Sequence, residues 1–153
     1  MDAVRLIRAT RDALRGGGAE RDLMAEAWQA QALTQAIGSH LALHGPPELR
    51  TLGFWVCEAS GRACGSTGPP GAGTGSGPLR AAILTEVREP ADALRELRQL
   101  LAELCMALVS VACTAESETE YWQCIEAVDA ADESKDRVGA LLRAVESSRR
   151  HSA

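Results

Sequence analysis

LRAAILTEVREPADALRELRQLLAELCMALVSVAC, residues 79–113, decides the fold. Ile83, Val87, Pro90, Leu94, Leu97, Leu101, Leu104, Leu108 and Val111 recur in steps of four and three. That is the spacing of an apolar stripe on a helix, and the alternation by two that a strand needs is missing. The spacing predicts a long amphipathic helix, roughly 50 Å if unbroken at about 1.5 Å per residue. Pro90 lies inside the pattern. A proline there either kinks the helix or ends one helix and opens the next as its first residue. The unbroken stripe favours a kinked, continuous helix. An apolar stripe of that length must be covered, and the rest of the chain reads as its cover.

Working outward, Ser117 followed by Glu120 fits the capping box that starts a helix. A last helix is predicted from about residue 118 to 148, with Tyr121, Ile125, Val128, Ala131, Val138, Leu142 and Val145 as its inner face. Residues 132–137 turn polar within it, so the helix is either exposed there or binds something polar. Residues 149–153 are expected to fray. On the other side of the key stretch, residues 65–78 read GSTGPPGAGTGSGP. This Gly/Pro-rich segment has no core-forming side chain and is predicted to be a flexible linker. No Lys-Ser or Lys-Thr follows it, so it lacks the parts of a phosphate loop.

Three shorter helices precede the linker. Residues 2–15 form the first, with Asp2 as its cap. Arg5, Arg8, Arg11 and Arg15 line one side of it, a solvated face expected to lie against the acidic C-terminal half. The second covers about residues 20–43, with Leu23, Ala27, Ala30, Thr34, Ile37 and Leu41 inward. Gly45-Pro46-Pro47 stops it. The third runs from about residue 47 to 63 on Leu49, Leu52, Val56, Ala59 and Ala63, although Gly53 and Gly61 weaken it as a helix.

Length and composition fit this picture. At 153 residues and 46% apolar content, one helical domain spanning residues 1–153 is expected. The net charge is −5, and all of it comes from residues 79–153, with nine basic and fourteen acidic side chains. A nucleic-acid partner is therefore not expected. No run of about 18 apolar residues is present to span a membrane. The N-terminal stretch lacks the apolar region of a signal peptide. Five cysteines without a C-x-x-C pair point to reduced, mostly buried thiols and a cytoplasmic protein.

Several groups are candidates for chemistry. His40 and His44 share a helix face and suit a metal, with Cys57 or Cys64 as a third ligand. Glu126, Asp129, Glu133 and Asp136 form a carboxylate stripe that would hold a divalent cation if it faced Glu86, Glu89 or Glu103 of the long helix. The competing reading is a solvated acidic face with Arg137 and Arg143 as partners. Trp28 and Trp122, with Gln29 and Gln123, suit packing or a protein contact better than ligand stacking. Glu26-Ala27-Trp28-Gln29 is echoed by Glu120-Tyr121-Trp122-Gln123, a match short enough for chance. Cys105, Cys113 and Cys124 sit among apolar residues and read as small hydrophobes, not nucleophiles.

Four strings resemble one another's setting in a known family: AEAWQAQALTQAIGS at 25–39, GPPELR at 45–50, LTEVR at 84–88 and YWQCIEAVDAADES at 121–134. Together they resemble a family of small helical proteins from streptomycetes and related actinobacteria with no assigned function. The resemblance brings no catalytic residues with it. The reading is therefore an all-α, up-down helical bundle built on a long C-terminal helical hairpin. Its expected role is that of a non-enzymatic interaction or regulatory protein, a homodimer or the partner of another protein, with no cofactor. Trp28, Trp122 and Gln123 are the expected contact residues. The alternative is a metal- or small-molecule-binding bundle with a carboxylate site between the long helices.

Overall fold

The computed structural model describes residues 1–16, 20–67 and 79–152. Among these residues the fold is all-α, with α1 at Ala3–Arg15, α2 at Glu20–His44, α3 at Arg50–Thr67, α4 at Pro90–Cys113 and α5 at Glu118–Ser152. Helices α4 and α5 form an antiparallel hairpin, and α1, α2 and α3 pack along it. The expected linker at 65–78 lies outside the described residues from 68 onward; residues 65–67 are the last of α3.

The leucine column of α4 is where the sequence places it. Leu94, Leu97, Leu101 and Leu108 are fully buried and Leu104 almost so, with Leu100 beside them. Removing each such side chain from water contributes about 1.5–3 kcal/mol. The inner face of α2 also matches: Ala27, Ala30, Thr34, Ile37 and Leu41 are buried. The hydroxyls of Thr10, Thr34 and Ser60, buried with them, each donate to the carbonyl four residues back, so these hydroxyls are not left unpaired.

The continuous helix through Pro90 is not found. Pro90 is the first residue of α4, and Glu89 before it has φ −123° and ψ 89°, the extended region a following proline imposes. Upstream, Arg80–Ile83 make a 3₁₀ turn. Beyond that turn the chain is held extended by the N-terminus. Thr85 N–H donates to Met1 C=O at 3.1 Å, Ala3 N–H to Glu86 C=O at 3.0 Å, and Arg88 N–H to Asp2 Oδ1 at 3.1 Å. These long-range bonds consume the backbone groups a helix would use. Helix α4 thus has 24 residues, about 36 Å, and α5 with 35 residues, about 52 Å, is the longest. It continues through Ser152, past the predicted end at 148.

The first half of α5 is rotated relative to its predicted face. Cys124, Ala127, Ala131 and Ser134 are buried, whereas Tyr121 is 41% exposed and Ile125 and Val128 are only half-buried. Ser134 supplies the reason. Its hydroxyl donates to Gln31 Oε1 of α2 at 2.8 Å, and both residues are buried. Both readings of 132–137 hold in part: Asp132, Glu133 and Asp136 are exposed, and Ser134 meets a polar partner within the protein. Ser117 Oγ accepts from Glu120 N–H at 3.2 Å, as the capping box predicts. Glu120 reaches one residue further back, to Glu116 N–H at 3.3 Å.

The Arg stripe of α1 lies on α4. Arg11 donates to Glu103 through two nitrogens, at 2.7 and 3.1 Å, and to Glu96 at 2.6 Å. Arg15 joins Glu103 at 2.9 Å and Arg8 meets Glu96 at 3.5 Å. The Arg11 guanidinium, helped by Arg15, holds the Glu103 carboxyl at about 2. On the other side, Arg80 is clamped to Glu26 of α2 at 2.8 and 2.9 Å, and its N–H donates to Gln29 Oε1 at 3.1 Å.

Helices α2 and α3 touch backbone to backbone. A Cβ added at Gly38 would lie 2.9 Å from Val56 Cγ1 and 3.0 Å from Gly53 O; one at Gly53 would lie 3.0 Å from Ala42 Cβ. The glycines that weakened α3 in the sequence are thus split in role, with Gly53 serving as the contact point. Gly38→Ala and Gly53→Ala should each cost about 1–3 kcal/mol in chemical denaturation. Gly65→Ala, whose Cβ would meet nothing within 4 Å, should gain up to about 1 kcal/mol from helix propensity. Glu103 is a depressed carboxylate, so its stabilisation is complete above the ordinary carboxyl value of 4.5 and lost as pH falls toward 2. The stability difference between wild type and Glu103→Gln should therefore shrink over that interval.

Candidate functional site

Two regions hold the expected residues, one at each end of the hairpin. At the lower end, α2 finishes beside the start of α4 and the last turns of α5. Between them is a groove of about 380 Å³ floored by Leu41, Leu49, Ala91 and Val145. His40, His44, Glu89 and Arg149 stand at its polar rim. The two imidazole centroids are 4.7 Å apart, as an i, i+4 pair on one face requires. Burial, and then the charge of His44, push the His40 imidazole below its ordinary value.

Cys64 does not complete this pair. Its Sγ lies 3.8 Å from Trp28 O, twelve residues and about 18 Å along α2 from His40. Burial pushes that thiol up to about 11, which suits a packed side chain and not a ligand or nucleophile. Among the described residues, no three His, Cys, Asp or Glu side chains converge as metal ligands. The carboxylate stripe faces outward: Glu126, Asp129, Glu133 and Asp136 are all exposed. Glu133 pairs with Arg62 of α3 at 2.5 Å, while Arg137 lies over the Trp55 ring at 5.3 Å. Glu103, the carboxylate of α4 that would have faced the stripe, is held by Arg11 and Arg15.

At the upper end the helices α1 and α3 stop before the turn of the hairpin. Helix α1 ends with Arg15 against Glu103, and α3 ends five residues beyond the Arg62–Glu133 pair. The tip remains covered on one side, where Leu108 and Cys124 are fully buried. On the open side Met106 is 74% exposed, Val109 44%, Tyr121 41% and Trp122 56%. Cys105 Sγ lies 4.0 Å from Val128 O. Tyr121 and Trp122 meet edge to face with ring centroids 5.3 Å apart.

The structure separates the two halves of the sequence echo. Trp122 and Gln123 are exposed at the tip. Trp28 is half-buried, its Nε1 buried without a hydrogen-bond partner among the described residues, and Gln29 is buried. Met106 and Val109 were not singled out from the sequence. The signal was there: residues 104–115 carry no charge at all, so α4 is apolar on its outer side as well as its inner one, which a simple surface helix is not. At the lower end, His44→Ala should raise the His40 pKa part of the way toward its ordinary value, read from imidazole proton shifts in an NMR titration.

Among the described residues, no helix is long and apolar enough to cross a membrane. No curated protein and no solved structure matches the chain. The sequence profile of a family of unknown function, DUF6099, matches residues 1–144, which takes in α1 to α4 and most of α5. The chain belongs to this family.

Proposed function

We propose that the protein is a non-enzymatic interaction or regulatory protein that works by presenting a helix face, and that the face is the tip of the α4–α5 hairpin. The observation that carries this reading is the exposure of Met106, Val109, Tyr121 and Trp122 near the turn of the α4–α5 hairpin. Flexible Met and large aromatic side chains are the residues that anchor protein contacts. The exposed Gln123 beside them belongs to the polar rim such contacts carry. The net charge of −5 speaks against a nucleic-acid partner and fits a protein of the cytoplasm. A small-molecule site ranks second. It draws on the groove at His40 and His44, whose volume suits a small ligand.

A photo-crosslinking residue placed at Met106 or Trp122, and in a control at exposed Arg50, tests the reading in cells that produce the protein. Discrete adducts from the two tip positions and none from the control are expected. An adduct of twice the chain mass would identify a homodimer. Equal crosslinking from all three positions would remove the tip as the working surface.

A further inference from the structure

We propose that the hairpin tip receives a basic amphipathic helix of another protein. This rests on the helix-face reading above and names the chemistry of the partner. Residues 104–134 carry seven carboxylates and no Lys, Arg or His. The rest of the chain has 16 basic against 14 acidic side chains. Two of the seven are already paired, Glu133 with Arg62 and Asp132 with Lys135; the other five share the hairpin with the exposed apolar patch. The partner that satisfies both offers apolar side chains on one helix face and Arg or Lys flanking them.

The fold already contains one such contact. Helix α1 lays Leu6 and Ile7 into the core, fully buried, and sets Arg8, Arg11 and Arg15 on Glu96 and Glu103 of α4. It is a basic amphipathic helix docked on the acidic, leucine-rich α4. Beyond Glu103 the same helix continues with α5 beside it, and there Met106 and Val109 are exposed. A second copy of the chain is a poorer occupant. Tip against tip would oppose the unpaired carboxylates with their own copies within a Debye length of about 8 Å. The copy's own basic amphipathic helix is already engaged on its own α4.

Isothermal titration of the full chain at physiological ionic strength tests this with three synthetic peptides of about five turns. One has Leu at helical spacing with Arg on the other faces. The second keeps the Leu pattern and carries Glu in place of Arg. The third has the composition of the first in an order that gives no apolar face. Binding of the first is expected, with the second and third about tenfold weaker or more. Met106→Ser with Trp122→Ser should weaken the first peptide about tenfold, with the far-UV circular dichroism of the wild type retained because both side chains are exposed. Glu126→Gln with Asp129→Asn should weaken it through charge alone, leaving the apolar patch intact. The proposal is overturned if the scrambled peptide binds as well as the first, since charge attraction then suffices. It is equally overturned if the Glu peptide binds as well, or if none binds. Should none bind while crosslinking at Met106 yields the doubled mass, the helix-face function stands and only the partner assignment falls.

Discussion

Everything in this fold leans on the burial of one column of leucines along α4. Leu94, Leu97, Leu101 and Leu108 reach zero exposure only because several helices meet on that column at once. Helix α5 covers it along its length, α1 covers it on the flank of Glu96 and Glu103, and α2 closes the remaining side. With Ala93, Leu100 and Leu104 buried beside them, the stripe is wider than the narrow seam one partner helix covers. The Arg11–Glu103 and Arg80–Glu26 pairs sit at the edges of the column, where α1 and the segment before α4 must be held against it.

How much of this the sequence disclosed depended on whether the governing interaction was local. The leucines of α4, the inner face of α2 and the Ser117–Glu120 cap follow from spacing within one helix, and all three were legible. The segment 83–88 was not. Its apolar residues fall on a helical spacing, yet its backbone bonds go to Met1, Asp2 and Ala3, more than eighty residues away. No pattern inside the segment announces that. The rotation of α5 has the same origin, because Ser134 turns inward to meet Gln31 over a separation of 103 residues. A serine in a run of charges gives no hint that it will be buried.

The same distinction applies to the site. Trp122 and Gln123 could be named from the sequence because an aromatic beside an amide on a half-apolar face is uncommon on a solvated helix. Met106 and Val109 were absorbed into the general apolarity of α4. What makes them conspicuous is that α1 and α3 stop short, and helix ends are the least legible feature of a sequence. The carboxylates of α5 suggested a cation site as long as they were supposed to face α4. Once the inner face is set by Cys124, Ala127, Ala131 and Ser134, the carboxylates must point outward, and they become the charge that colours the surface around Trp122.

The contact at Gly38 and Gly53 carries a mechanical consequence. Apart from the Val56 and Ala42 methyls, the nearest atoms across that seam are main chain, so any side chain at either glycine must part the two helices. The joint between this pair and the hairpin is built differently, with long side chains, Arg62 to Glu133 and Gln31 to Ser134. One seam of the molecule is therefore set by backbone clearance and the other by side chains whose rotamers leave room for change.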